Sequence, residues 1–60
     1  MRHDGEFIKT VFGLKMKQFR QKRNISLQEL SNQTGLSKSY LNEIENGKKY
    51  DILIDIIIGT

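Results

Sequence analysis

Positively charged side chains are the main chemical resource of this sequence, and they are clustered. A run without any acid holds five of them: Lys15, Lys17, Arg20, Lys22 and Arg23. Three more follow at Lys38, Lys48 and Lys49. Lysine and arginine at this density bind phosphate groups, although a net charge of +3 does not by itself prove nucleic-acid binding. The alternative is that these residues only form a solvent-exposed helix face. The secondary-structure elements that carry them favour one or the other interpretation.

Residues for catalysis or metal binding are missing from the sequence. There is no cysteine, and the one histidine, His3, is too little for a zinc site. The acids are scattered, the serines have no nearby histidine, and there is no glycine-rich phosphate loop. We therefore expect neither an enzyme nor a cofactor nor a metal.

The length of 60 residues predicts one small domain. A chain of this size buries only about 60% of its extended surface, so its core alone gives marginal stability. Because neither a disulfide nor a metal site is expected, a partner chain is the remaining way to bury more surface. The polar N-terminus does not look like a signal peptide, and no run approaches the roughly 20 apolar residues of a membrane span. The sequence predicts a cytosolic protein.

Two short amphipathic helices on either side of a turn are predicted between Leu27 and Asn46. Ser26 can cap the first helix, because Glu29 follows three residues later and completes a capping box. Gly35 ends that helix in a left-handed conformation, and Ser37 caps the next one.

The small Ser31 side chain allows the second of these helices to approach the first closely. Leu30, Leu36, Leu41 and Ile44 can then close one shared apolar seam. This is a helix-turn-helix, and its second helix can enter a DNA major groove.

The run from Phe12 to Lys49 resembles the helix-turn-helix of phage-repressor-like regulators, the Cro or xenobiotic-response-element type. The residues that match are Phe12, Gly13, Met16, Phe19, Arg20, Ile25, Ser26, Glu29, Leu30, Gly35, Leu36, Ser37, Ser39, Tyr40, Leu41, Ile44, Glu45, Asn46, Gly47 and Lys48. Ser31 replaces the alanine usual in the family. The resemblance implies an all-α, lambda-repressor-like bundle, and the chain after Tyr50 departs from it, so the C-terminal helices should be shortened or missing.

The resemblance also implies which side chains read bases. Lys38, Ser39, Asn42 and Glu43 should face the groove. Lys38 can donate to guanine O6 and N7, Asn42 can bind adenine with two bonds, and Glu43 can accept from cytosine N4. The alternative is that these residues only form the solvent-exposed face of an amphipathic helix. The helix-turn-helix motif favours base readout over that alternative.

Phosphates should be held by backbone N–H groups at the helix starts near Ser26 and Ser37, where the helix dipole and unpaired donors coincide. Further contacts are expected from side chains around these starts and after the second helix: Gln28, Tyr40, Asn46, Lys48, Lys49 and Tyr50. The two tyrosine rings could equally pack on the surface.

A structural ion pair between Arg20 and Glu45 is implied by similar repressors, in which these two positions pair. We expect it to be partly buried and to orient the second helix of the motif.

The first helix is predicted from Glu6 to Arg23, after a flexible N-terminus at residues 1–5. Its apolar stripe comprises Ile8, Phe12, Met16 and Phe19. Gly13 is expected on the far side, where it should cost about 1 kcal/mol relative to alanine.

The tail at residues 51–60 is rich in isoleucine and follows the domain at residues 6–50. Its β-branched residues favour a strand, whereas its helical context favours a short fourth helix capped by Asp51. It could also pair with another chain.

These features predict a sequence-specific regulator of transcription that binds double-stranded DNA as a homodimer. It could instead be the antitoxin of a toxin–antitoxin pair, which would add a protein partner. The alternative from another class is a protein-interaction module that works through the isoleucine-rich tail.

Overall fold

Four helices make up the computed structural model, which describes residues 5–59. They are α1 (Gly5–Arg23), α2 (Leu27–Thr34), α3 (Lys38–Glu45) and α4 (Ile52–Gly59). The described residues contain no strand, so the all-α, helix-turn-helix prediction is confirmed. The flexible N-terminus predicted for residues 1–5 lies outside the described residues, apart from Gly5, which begins α1.

Short turns join the first three helices, and local hydrogen bonds define them. Asn24 follows α1 with a φ of 55°, the left-handed conformation that asparagine tolerates. Ser26 then caps α2: its hydroxyl accepts from the Glu29 N–H at 3.0 Å, and Glu29 accepts from the Ser26 N–H at 3.2 Å. The predicted capping box is confirmed, and only three residues separate the end of α1 from the start of α2.

The core is small and receives buried side chains from all four helices, with α1 packed on α3 and α4, and α2 packed on α3. Its buried members are Phe12, Met16, Leu30, Leu41, Ile44 and Ile54. The predicted stripe of α1 is correct in its middle and wrong at its start, because Ile8 is 54% exposed. Phe19 is half-buried, and the Arg23 guanidinium lies over its ring at 4.6 Å.

Gly13 lies at the crossing of α1 and α3, and the prediction that it faces away is wrong. A Cβ at this position would lie 2.6 Å from the carbonyl oxygen of Ile44 and 2.8 Å from that of Glu45. Only a residue without a side chain lets the last turn of α3 come this close to α1. The crossing also sets the position of α3.

The tail forms a helix, one of the two alternatives that the sequence left open, and Asp51 caps it. The Asp51 carboxylate accepts from the N–H groups of Leu53 at 2.9 Å and Ile54 at 3.2 Å. Ile54 is fully buried against the core and Ile58 packs beside it. A helix satisfies its own backbone polar groups, whereas a strand needs a neighbour, and residues 5–59 offer none. The β-propensity of isoleucine therefore does not decide the structure here.

Large apolar side chains remain exposed on the outer sides of α1 and α4. They are Phe7, Ile8, Val11, Leu14, Tyr50, Ile52, Leu53, Ile56 and Ile57. Among the described residues, no helix combines the length and the apolar character that crossing a membrane requires.

Candidate nucleic-acid interface

The turn between α2 and α3 fixes the angle between the two helices. Gly35 ends α2 with a φ of 79°, and its N–H donates to the Ser31 carbonyl at 2.9 Å. The Ser31 hydroxyl donates to the Leu36 carbonyl at 2.6 Å, and the Leu36 N–H donates to the Thr34 hydroxyl at 3.2 Å. Ser31 thus adds a hydrogen bond that alanine, usual at this position in the family, could not make.

The predicted base-reading residues share the exposed side of α3. Lys38, Ser39, Asn42 and Glu43 are all exposed. Leu41 and Ile44, on the other side of the helix, are fully buried and hold α3 against α1. The geometry therefore brings the four polar side chains together on a surface that a DNA groove can reach.

Both helix starts present capped N-termini. The Ser37 hydroxyl accepts from the Tyr40 N–H at 3.0 Å, as the Ser26 hydroxyl does from Glu29. A hydroxyl that accepts in this way keeps its own hydrogen for donation. The earlier N–H groups of each first turn point out of the helix end, where they and the helix dipole favour an anion.

The remaining expected phosphate contacts lie at the two ends of the motif. The Gln28 amide donates to the Asn32 side chain at 3.1 Å on the exposed side of α2. Asn46 ends α3, and Lys48 and Lys49 follow it on exposed chain. Lys49 also lies 4.0 Å from Glu43, but both side chains are about half exposed. Such a pair is worth little in water, so Lys49 can exchange it for a phosphate.

Tyr40 differs from the other expected phosphate contacts, because its hydroxyl is already used inside the protein. It donates to the Asp51 carboxylate at 2.6 Å and so ties α3 to the cap of α4. This bond raises the pKa of Tyr40 and lowers the pKa of Asp51. The hydroxyl hydrogen of Tyr40 is thus engaged within the protein, and a phosphate contact from Tyr40, which would have to replace this bond, stays a prediction.

Tyr50 follows the same pattern as Tyr40. Its hydroxyl donates to the Asp55 carboxylate at 2.6 Å, and this bond raises the pKa of Tyr50. Its ring packs against Phe12 with a centroid distance of 4.7 Å. Both tyrosines therefore fasten α4 to the domain.

Arg20 and Glu45 form the ion pair that the resemblance implies. Arg20 Nε donates to Glu45 Oε2 at 2.5 Å and Nη2 donates to Oε1 at 3.1 Å, a two-bond geometry. Nη1 donates to the Ile25 carbonyl at 3.0 Å. The hydrogen bond to Glu45 raises the pKa of the Arg20 guanidinium. The pair links the end of α1, the turn before α2 and the end of α3, next to the Gly13 crossing.

Three residues of the basic run in α1 lie beside α4. Lys15, Lys22 and Arg23 line a cavity of about 710 Å³ together with Ile57 and Ile58 of α4. The four polar residues of α3 lie on the exposed side of that helix. The phosphate interpretation of the basic run stays a prediction.

Asp51 links α3 to α4, a role that the sequence did not reveal. The available signal was an acid at a predicted cap eleven residues after a tyrosine, which is too weak to find from spacing alone. Within residues 5–59 no cluster of histidines and acids could hold a metal ion.

A comparison with protein families also identifies a helix-turn-helix in this chain. The family model described as Helix-turn-helix matches residues 16–58, which cover α2, α3, the second part of α1 and all of α4 except Gly59. The match thus continues past Tyr50, where the resemblance was expected to end. Searches of curated proteins and of solved structures give no match. The chain belongs to the Cro/C1-type helix-turn-helix family, which is a family of DNA-binding regulatory proteins.

Proposed function

We propose that this protein is a sequence-specific, repressor-like regulator of transcription that binds double-stranded DNA as a homodimer. The observation that carries the proposal is the exposed side of α3, where four polar side chains lie together beyond a capped helix start. A protein of this kind works where the DNA is, and we place it in the cytoplasm on that ground.

Base reading is assigned to the exposed side of α3. Asn42 lies on the second turn of the helix and is suited to the adenine edge, while Lys38 at the first turn is suited to guanine. Ser39 can bond to either base, and Glu43 can accept from cytosine when Lys49 leaves it.

Phosphate binding is assigned to the two helix starts and to the chain after α3. Ser26 and Ser37 present the N–H groups, Gln28 reaches from the first turn of α2, and Asn46 and Lys48 follow α3. These contacts set the orientation of α3 and supply affinity that falls as salt rises.

A homodimer is proposed because one copy of α3 reads only a few base pairs. Two copies related by a two-fold axis read two half-sites about one helical turn apart, which gives the specificity that a regulator needs.

The test begins with selection of duplex DNA from a random library, followed by fluorescence anisotropy on the selected site. We expect Asn42→Ala to relax selectivity at one position of each half-site, at a cost of about 1–3 kcal/mol for each contact. Lys48→Ala should weaken all sequences alike and reduce the steepness of the log–log salt plot by about 2, since two copies lose one phosphate contact each. Gln33→Ala, an exposed change on α2 outside the assigned set, is the matched control.

The proposal fails if the folded protein selects no sequence and binds DNA with no dependence on salt. It also fails if Asn42→Ala and Gln33→Ala have the same effect on selectivity.

A second candidate function is a protein-interaction module, and the exposed isoleucines of α4 favour it. In that case α4 would bind a different protein, and the surface of α3 would have no ligand. Binding of a partner protein that survives Asn42→Ala and Lys48→Ala, without any DNA selection, would identify this function.

A further inference from the structure

A cavity of about 710 Å³ lies between the second half of α1 and the end of α4. None of the side chains that line it belongs to the base-reading or phosphate-binding set assigned above. Pockets that hold small molecules have volumes of about 300–1,000 Å³ and combine an apolar lining with a few polar groups. The size of the cavity therefore fits a small organic ligand, and its lining indicates the chemistry of that ligand.

Apolar side chains from both helices line the cavity. Phe19 of α1 is half-buried, and so is Ile58 of α4, which packs against the core. Ile57 keeps 47% of its surface in water. The apolar body of a ligand that packs on these side chains removes their remaining surface from water, which favours binding.

Three cations line the same cavity: Lys15, Lys22 and Arg23. No acid lines it, and none of the three forms an ion pair with another described residue. Asp55, the one acid of α4, accepts from the Tyr50 hydroxyl and lines a neighbouring groove together with Lys15. Lys22 and Arg23 are therefore the cations best placed to bind an anion in the cavity.

The ordinary role of basic residues in the last turn of a helix is to offset the negative carbonyl end of the helix dipole. Such an end carries about half an elementary charge, and both α1 and α4 end beside the cavity. Three cations exceed what these two ends require. The Arg23 guanidinium also lies over the Phe19 ring, 4.6 Å from its centroid, so positive charge and apolar surface adjoin each other.

We propose that this cavity binds a small organic acid with an apolar body. The carboxylate binds at Lys22 and Arg23, and the body packs against Phe19, Ile57 and Ile58. Arginine presents N–H groups that match the two oxygens of a carboxylate, and lysine adds a point charge. The ligand contacts α1 and α4 together, so its binding to the folded chain stabilises that state. The inference does not depend on DNA binding.

The test is an NMR titration of the isotope-labelled full chain with naphthalene-2-acetate at neutral pH and fixed ionic strength. Naphthalene-2-ethanol has the same apolar body without the charge, and acetate has the carboxylate without the body. We expect naphthalene-2-acetate to shift the side-chain amide signals of Gln18 and Gln21, which line the cavity, with a dissociation constant on the order of 1 mM. The alcohol and acetate should each bind at least about tenfold more weakly.

Lys22→Gln is the variant, and Lys17→Gln is the matched control. Both changes remove one positive charge from an exposed position of α1, but only Lys22 lines the cavity. We expect Lys22→Gln to weaken the binding of naphthalene-2-acetate by about fivefold, and Lys17→Gln to leave it nearly unchanged. The melting temperature is a second readout, and the acid should raise it less in Lys22→Gln than in Lys17→Gln.

The inference is overturned if Lys22→Gln and Lys17→Gln bind naphthalene-2-acetate equally. It is also overturned if acetate binds as tightly as naphthalene-2-acetate, because the cavity then takes any anion. A third contrary result is a shift of the backbone signals at the helix starts near Ser26 and Ser37 in place of the Gln18 and Gln21 signals.

DNA is the other anion that these cations can contact, and the same variants separate the two ligands. If Lys22→Gln makes the log–log salt plot of DNA binding less steep, and naphthalene-2-acetate does not bind, the cations contact phosphates and the inference is overturned. Binding of the acid together with an unchanged salt plot for Lys22→Gln supports a separate ligand site. Failure of the proposed function leaves the inference standing, because the titration with the acid contains no DNA.

Discussion

Replacing Gly13 by alanine tests the crossing of α1 and α3. The added Cβ would lie 2.6 Å from the Ile44 carbonyl oxygen, and ordinary contacts begin at 3.4 Å, so α1 and α3 must separate by about 0.8 Å. The obstacle is backbone, which cannot rotate away as a side chain could. A separation of this size loosens the packing of Met16, Leu41 and Ile44, all of which are fully buried.

The expected magnitude is the difference between two opposing effects. Overpacking costs typically 1–3 kcal/mol, and we take the upper end because two carbonyl oxygens are in the way. Alanine regains about 1 kcal/mol of helix propensity over glycine. The net loss is about 2 kcal/mol, a large part of the stability of a domain of this size, and it corresponds to roughly 10 °C in melting temperature.

Urea denaturation followed by circular dichroism, at one fixed protein concentration, measures this loss. Gln18→Ala, an exposed substitution on the same helix, should change stability by less than about 0.5 kcal/mol and serves as the control. The sequence alone predicts the opposite sign for Gly13→Ala, a gain of about 1 kcal/mol at a solvated position. An unchanged or higher urea midpoint would therefore refute the crossing.

Three further substitutions test the bonds that hold the motif. Arg20→Ala leaves Glu45, whose side chain is 5% exposed, without its partner. The melting temperature should therefore fall by about 10 °C, and DNA affinity should also fall. If neither quantity changes, the role of the pair is contradicted. Tyr40→Phe should cost about 1 kcal/mol near neutral pH and leave DNA affinity nearly unaltered. The tyrosine bond lowers the pKa of Asp51, so its stabilisation is present above the ordinary pKa of an aspartate and is lost as pH falls through the lowered value. The gap between Tyr40→Phe and wild type in urea midpoint should therefore close below about pH 4, and a constant gap argues against the bond. Ser26→Ala removes the cap of α2 and should lower the free energy of unfolding by about 1 kcal/mol. DNA affinity is then compared under conditions in which both proteins are folded. Weaker binding by Ser26→Ala supports the phosphate contact at this helix start, and equal affinity contradicts that contact.

Features that depend on a few neighbouring residues could be predicted from the sequence alone. Ser26 with Glu29, the left-handed Gly35 and the cap at Ser37 all involve bonds within three or four residues. Such bonds depend on residue type and spacing, so they do not require knowledge of the fold. The inward positions of α2 and α3 follow from helical periodicity for the same reason.

Contacts between distant segments were decided by the tertiary structure. Helical periodicity placed Gly13 on the far side of α1, but the side that α3 covers depends on where α3 crosses, and the crossing lies at Gly13. The same periodicity predicted that Ile8 is buried, although no helix within residues 5–59 covers it.

The tail at residues 51–60 shows most clearly what the sequence determines and what the tertiary structure determines. Its composition supports helix and strand almost equally, because isoleucine favours strands while Asp51 can cap a helix. The tail forms a helix because Ile54 can then be buried in the core, and because the described residues contain no strand with which it could pair. The sequence by itself determined the caps, the turn and the family of this protein. Its helix crossings, the bonds of Tyr40 and Tyr50 and the exposed side of α4 depend on segments that meet only after folding.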